Sequence, residues 1–291
     1  MRITKYAAVL AAAGALVLAG CSGGGDLGGG SGEAPAVKED ASFPAGSTME
    51  KLNKAGKITV GTKYDQPLFG LRGLDGDPEG FDVEIAKIIA GELGISEDNI
   101  EWIEAVSANR EPFIEKGEVD IVVATYTIND TRKEVVSFGG PYYIAGQDLL
   151  VLDGNPEGIT SIDDVKGKKV CSVTGSTSAQ NLKDAGVEVL ETDTYSNCLS
   201  PLRQGEVVAA STDNVILAGL VDQNPGEFEL VEKPFTEEPY GVGLAKDDDE
   251  FRGFINDTLE DSFTDGRWVQ AWESTAGKVL STPEPPAIDR Y

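Results

Sequence analysis

One pattern occurs twice in this chain. "EKGEVDIVVATYT" (115–127) and "RQGEVVAASTDNV" (203–215) each run from a helical end through Gly-Glu-Val into an apolar stretch, then break into a polar cluster. A glycine that closes a helix, followed by an apolar run long enough for one strand, is the joint of an α/β unit. A strand with no polar interruption needs cover on both faces, so each copy belongs to a sheet flanked by helices. Two copies predict two such sheets. Open α/β sheets bind ligands beyond the carboxyl ends of their strands. Thr125 to Thr127 and Thr212 to Asp213 stand at those ends, and two sheets facing each other place both clusters in one cleft.

The remaining sequence keeps the alternation. "KITVGT" (57–62), "NIEWIE" (99–104), "LLVL" (149–152), "KKVCSV" (168–173), "VEVLE" (187–191) and "YGVGLA" (240–245) read as strands. "GFDVEIAKIIAGELG" puts Phe81, Ile85, Ile88, Ile89 and Leu93 on one helical face, with Gly94 as its cap. Shorter helices are predicted at 110–116, 177–185, 197–203 and 214–221, and amphipathic ones at 250–263 and 268–272. The expectation is parallel sheets with helices on both faces.

The beginning of the chain points to export. Arg2 and Lys5 precede "AAVLAAAGALVLAG", too short to span a bilayer comfortably and with the charge order of a signal peptide. The run ends in "LAGC", the pattern in which Cys21 receives a diacylglyceryl group and becomes the first residue after cleavage. Two or more acyl chains suffice for stable anchoring, at roughly 0.8 kcal/mol per buried methylene. The stretch that follows is rich in Gly, Ser and Pro and reads as a flexible tether. The expected layout is a signal peptide at 1–20, a tether at 21–46 and a folded part from Ser47, held at the outer face of a cell membrane by the Cys21 anchor.

Without the first twenty residues, 22 basic stand against 50 acidic residues, a charge of −28. That field repels nucleic acid. The chain has no histidine. Ser-His-Asp and Cys-His nucleophilic systems are therefore excluded, and so is the commonest zinc ligand. No glycine-rich phosphate loop ending in Lys-Ser/Thr is present. No catalytic residue, metal or cofactor is expected. With Cys21 lipidated, Cys171 and Cys198 remain, and a lone pair in an oxidising compartment predicts a disulfide. Closing that loop is worth roughly 3.5 kcal/mol by chain entropy.

"GFDVEIA", "SANREPF", "GEVDIVVATYTINDTR", "GKKVCSVTGSTS" and "EPYGVGLAKDD" occur in an order and spacing that resembles the extracellular solute-binding proteins of polar amino-acid ABC importers. The nearest likeness is to glutamate-binding lipoproteins, and it covers nearly all of 47–276. The resemblance implies two α/β lobes, joined by two crossing strands near Gly146 to Val151 and Pro239 to Leu244, with the ligand between them. The first lobe is then discontinuous: 47–147, with 148–241 as the second lobe and 242–291 returning to the first.

It also implies roles for particular residues. Arg132, in "T-x-T-x-x-x-x-R", takes the ligand α-carboxylate, for which planar, charge-matched donors are needed. Thr125 and Thr127 supply hydroxyl and backbone partners to the same end of the ligand. Asp213 matches the acid for the α-ammonium, although an Asp there is also an ordinary helix cap. Thr177, opening a helix in "GSTS", offers a hydroxyl and amide N–H groups to a carboxylate, or simply caps the helix. Ser107 and Arg110 of "SANR" hold a side-chain carboxylate, the other reading of Arg110 being a rim charge paired to Glu111 or Glu115. Lys63 suits an anion at a neighbouring position. Tyr195 departs from the family pattern, where an acidic-ligand relative has histidine, and its phenol can donate a hydrogen bond.

Three cations (Lys63, Arg110, Arg132) against Asp213 match a zwitterion carrying one more carboxylate. The expected ligand is L-glutamate, or L-aspartate, delivered by a monomeric protein to ABC permease subunits. Glutamine or another polar amino acid is the alternative within the class. A dehydratase on the same fold is the alternative outside it, and would use Asp213 as general acid.

Overall fold

A computed structural model describes residues 36–74 and 76–291. The expected signal peptide, the Cys21 anchor and most of the tether lie outside the described residues. The alternation becomes two five-stranded sheets. The first has Ile58–Thr62 (β1), Ile100–Glu104 (β4), Ile121–Val122 (β5), Ser137–Ala145 (β6) and Glu238–Leu244 (β12), in the order β4-β1-β5-β12-β6. The second has Gln147–Leu152 (β7), Lys169–Val173 (β8), Glu188–Thr192 (β9), Ala209–Asp213 (β10) and Phe228–Leu230 (β11), in the order β11-β7-β10-β8-β9. Asp65–Gln66 (β2) and Gly70–Leu71 (β3) form a small hairpin beside the first sheet. We call each sheet with its helices a lobe.

Both sheets are mixed, which corrects the expectation of parallel ones. β1 runs parallel to β4 and β5, but β12 runs antiparallel to β5 and β6. In the second sheet β8 is parallel to β9 and β10, while β7 is antiparallel to β10 and β11. The reason is the route of the chain. β6 leads out to the second lobe and β12 leads back, so the two must run in opposite directions. The second crossing also falls earlier than expected. Glu238 already pairs with Ala145, and the pairing continues to Leu244 opposite Ser137, so 238–244 belongs to the first sheet and the passage is 231–237. The first passage is Gly146 alone.

The helices follow their apolar faces. Phe81–Glu92 (α2) buries Phe81, Ile85, Ile88 and Ile89, and Gly94 turns the chain at φ 77°. The final helices, Asp249–Asp265 (α8) and Arg267–Ser274 (α9), return to the first lobe on aromatic contacts. Tyr143 of β6 stacks on Trp272 at 5.1 Å between centroids, Phe81 meets Trp272 edge-on at 5.1 Å, and Trp268 Nε1 donates to Tyr142 O at 2.9 Å. Ring pairs of this kind add about 0.5–1.5 kcal/mol each beyond area burial. Thr48–Ala55 (α1) is an additional short helix, capped by Ser47, whose hydroxyl accepts from Glu50 N at 3.1 Å. The two cysteines are joined, with Cα atoms 5.5 Å apart.

Candidate ligand-binding site

The first polar cluster forms because β5 ends early. Val123 N still donates to Gly61 O, and then Thr125 takes φ 45°, a left-handed turn costly for a β-branched residue. Asp82, fully buried at the start of α2, holds it there. Its Oδ2 accepts Thr125 N at 2.7 Å and its Oδ1 accepts the Tyr142 hydroxyl at 2.6 Å. Burial pushes the Asp82 carboxyl up to about 7, against the pull of those two donors. The Thr125 hydroxyl donates to Gln66 Oε1 at 2.9 Å. Thr127 bridges to Tyr240 of β12, which sets the cluster beside the second passage.

Asp130–Lys133 (α4) is a single turn, capped by the Asn129 side chain accepting from Arg132 N at 2.9 Å. Arg132 is 6% exposed, and its guanidinium spreads over three partners. Nη1 donates to Thr127 O at 2.7 Å, Nε to Glu111 Oε1 at 3.1 Å, and Nη2 across the cleft to Gly175 O at 3.3 Å. Arg110, at the start of Arg110–Glu115 (α3), is 3% exposed and bonds carbonyls instead. Nε donates to Ser107 O at 3.3 Å, and Nη1 to Ala124 O at 3.1 Å and Thr125 O at 3.3 Å. The two guanidinium carbons lie 4.3 and 4.9 Å from the Tyr126 ring centre, one of them from each arginine. Glu111 therefore pairs with Arg132, and the rim-charge reading of Arg110 does not hold. Lys63, 3% exposed, donates from Nζ to Ser107 Oγ at 2.8 Å. Burial, with Arg110 adjacent, pulls the Lys63 ammonium down to about 7.

The second lobe contributes helix starts. Ser176 caps Thr177–Asp184 (α5), accepting Ala179 N at 3.0 Å, so the capping role belongs to Ser176 and not to Thr177. The Thr177 hydroxyl donates to Glu238 Oε2 at 2.9 Å. Asp213 precedes Asn214–Gln223 (α7) but makes no capping bond. Its Oδ2 accepts the Tyr240 hydroxyl at 2.6 Å, while Oδ1 is buried and has no hydrogen-bond partner among the described residues. Burial, then the nearby Glu238, pushes the Asp213 carboxyl up to about 7, with Tyr240, Arg110 and Arg132 opposing. An unpartnered carboxylate oxygen in so dry a place is costly, and a cation set against it removes the cost.

These groups surround one small interlobe cavity, of about 10 Å³, lined by Ser107, Arg110, Thr125, Thr127, Thr177, Tyr195, Asp213 and three others. Seven of the nine residues singled out in the sequence line it. Lys63 and Arg132 are not among its lining residues; they bond Ser107 Oγ and the Thr127 carbonyl, which belong to residues that are. The three others are Ser176, Ser178 and Ile216. Both serines were in view within "GSTS"; Ile216 is one more apolar residue of a helix and carries no signal. Also unforeseen are the acids Asp82 and Glu238, and Glu111 in its pairing with Arg132, so the count of three cations against one anion is incomplete. A titratable cluster in the cleft between two lobes, with donors on one side and an orphan acceptor on the other, is a receptor for a small zwitterionic solute.

The chain belongs to the bacterial extracellular solute-binding proteins, family 3, whose pattern matches residues 58–274. It is a solute-binding protein and not an enzyme, which disposes of the dehydratase alternative. It is 45% identical over 235 residues to "Glutamate-binding protein GluB" of Corynebacterium efficiens, covering 77% of this chain and 80% of that protein. It is 39% identical over 230 residues to "ABC transporter glutamine-binding protein GlnH" of Bacillus subtilis, covering 78% and 83% respectively. Among solved structures, "An ancestral arginine-binding protein bound to arginine" superposes with a TM-score of 0.70 at 37% identity, over 76% of this chain and 98% of that one.

Proposed function

We propose that this amino-acid-binding receptor captures L-glutamate and hands it to the membrane subunits of an ABC importer. One observation carries the choice of ligand. Lys63 and Arg110 converge on Ser107, both at least nine-tenths buried, and among the described residues neither forms an ion pair with a carboxylate. Two buried cations without an acid are costly. A side-chain carboxylate compensates them, whereas a carboxamide leaves the charge uncompensated. In this reading Arg132, Thr125 and Thr127 take the α-carboxylate, Asp213 the α-ammonium, and Thr177 and Tyr195 close the cavity from the second lobe. The 45% identity to a glutamate-binding relative supports the reading; the 39% identity to a glutamine-binding one makes glutamine the rival.

Calorimetric titration with Glu, Asp, Gln and Asn separates the two. Glutamate is expected to bind at least about tenfold more tightly than glutamine, and Arg110→Ala to cost glutamate far more than glutamine. That expectation rests on the worth of a buried charge-assisted contact, about 1.5–3 kcal/mol. Equal affinity for the two ligands, or a loss of less than threefold for glutamate in Arg110→Ala, overturns the acidic-ligand reading.

The same reading places the protein at the outer face of the cell membrane, anchored through Cys21, since a receptor that serves one permease gains from being held near it. Cys21→Ser is expected to move the protein from the membrane fraction to the medium with its ligand affinity unchanged. Retention on membranes excludes the lipid anchor.

A further inference from the structure

Besides the cavity, the lobes meet at further polar contacts, the Thr177 and Asn181 bonds to Glu238 and one made by Asp65. Asp65, on the β2–β3 hairpin of the first lobe, reaches across to the second. Its Oδ2 accepts the backbone N–H of Tyr195 at 2.9 Å and that of Ser196 at 3.4 Å. These two N–H groups begin the tight turn Tyr195–Cys198, which continues into Leu199–Arg203 (α6). The first N–H groups of a helical segment have no partner within it. A carboxylate is the strongest acceptor for such groups, because the bond is charge-assisted.

The turn that Asp65 grips is not incidental to the site. Tyr195 lines the cavity, and three residues on, Cys198 fastens the turn to β8 through Cys171. The gripping hairpin is equally tied to the site, because Gln66 accepts the Thr125 hydroxyl and Lys63 lies two residues before Asp65. On either side the backbones pass with no room for a side chain. A methyl at Gly219 of α7 meets Pro67 O at 2.5 Å, and one at Gly175 meets Ala108 Cα at 2.8 Å. Glycine at these two positions is what lets the lobes come close enough for a side chain as short as aspartate to span the gap.

We propose that Asp65 is a positioning residue for ligand retention, a latch that holds the closed lobes together by gripping the turn that carries Tyr195. The proposal rests on the cavity being the amino-acid site. When the lobes part, the bond exchanges for water on both partners, so Asp65 stabilises the closed form without stabilising either lobe. It touches no ligand atom, and its effect is therefore the same for every amino acid that the cavity accepts.

The test uses the full folded chain, with Asp65→Ala and with Asp65→Asn, which keeps an acceptor oxygen but not the charge. Dissociation rates by stopped flow and melting temperatures with and without ligand are measured for glutamate, glutamine, aspartate and arginine. Asp65→Ala is expected to raise the dissociation rate about tenfold or more for each ligand bound, through the loss of a charge-assisted hydrogen bond, with Asp65→Asn between it and the wild type. The association rate and the ligand-free melting temperature stay at wild-type values. Dissociation within twofold of wild type overturns the latch. A fall in the ligand-free melting temperature reassigns Asp65 to the stability of the first lobe, and a changed preference among ligands reassigns it to ligand contact. Failure of the glutamate reading appears elsewhere, in the ligand order of the wild type.

Discussion

Arg132→Ala is expected to weaken every amino-acid ligand together, by roughly 30- to 4000-fold, the range for truncating one member of a buried charge pair. The reasoning follows the guanidinium outward. Its Nη1 is fixed on Thr127 O and its Nε on Glu111, so the plane of the fork is set before any ligand arrives. Its Nη2 is the prong that reaches across to Gly175 O, one residue before the cavity-lining Ser176. A carboxylate common to all amino acids is the anion such a fork suits, so the loss does not discriminate between side chains. Truncation also leaves Glu111 without its partner beside the site, where its charge opposes an incoming anion. Arg132→Lys is expected to recover little, because an ammonium cannot reproduce two directed contacts. Titration of both variants with glutamate and glutamine decides the matter. Losses under threefold for both ligands would remove Arg132 from the binding set, and full recovery by lysine would show that charge alone is at work.

The second large effect belongs to Asp213, and pH reveals it. Asp213→Asn is expected to cost about 2–5 kcal/mol of affinity for all amino acids, since it deletes the one charge placed for the ammonium. In the wild type the carboxyl is pushed up to about 7 by burial. Binding an ammonium requires the ionised form, so below about pH 7 a proton must leave first, and affinity falls by up to about tenfold per pH unit. Stability of the ligand-free protein moves the other way. A carboxyl whose pKa is raised on folding contributes stability that is present below about 3.8 and lost as pH rises through about 7. Lys63 bounds the alkaline side: held at about 7, it loses the proton that an anionic ligand needs as pH rises further. The affinity of the wild type should therefore peak near neutrality, and Asp213→Asn should lose the acid limb. An affinity flat between about pH 5 and 7 would contradict the pairing of Asp213 with the ligand ammonium.

Much of this site was legible in the residues. Of the two Gly-Glu-Val strands, β10 runs to Asp213 and β5 stops early, at Val122, yet Thr125, Thr127 and Asp213 from their polar ends line one cavity. Arg110 and Arg132 could be named, but not assigned partners: Glu111 lies one residue from Arg110 and twenty-one from Arg132, yet it is Arg132 that it holds. Asp82 gave no warning. In the sequence it is one more acid in the first turn of a helix; in the fold it fixes the backbone of Thr125 from forty-three residues away. β6 was missed altogether, because Gly-Gly-Pro within "SFGGPYYIA" reads as a break. It is tolerated there because β6 lies at the edge of its sheet, where proline has no second ladder to serve.

What the chain determined by itself is what local periodicity and residue type report: which stretches bury one face or both, where helices stop, and which sparse cations, in so acidic a protein, must have a purpose. The direction of each strand, the return of β12 to the first sheet, the partner of each arginine and the meeting of Asp65 with the Tyr195 turn were decided by tertiary structure alone. Those are contacts between residues tens to a hundred or more positions apart. They arise when buried faces are satisfied all at once, and no short window of sequence contains both partners.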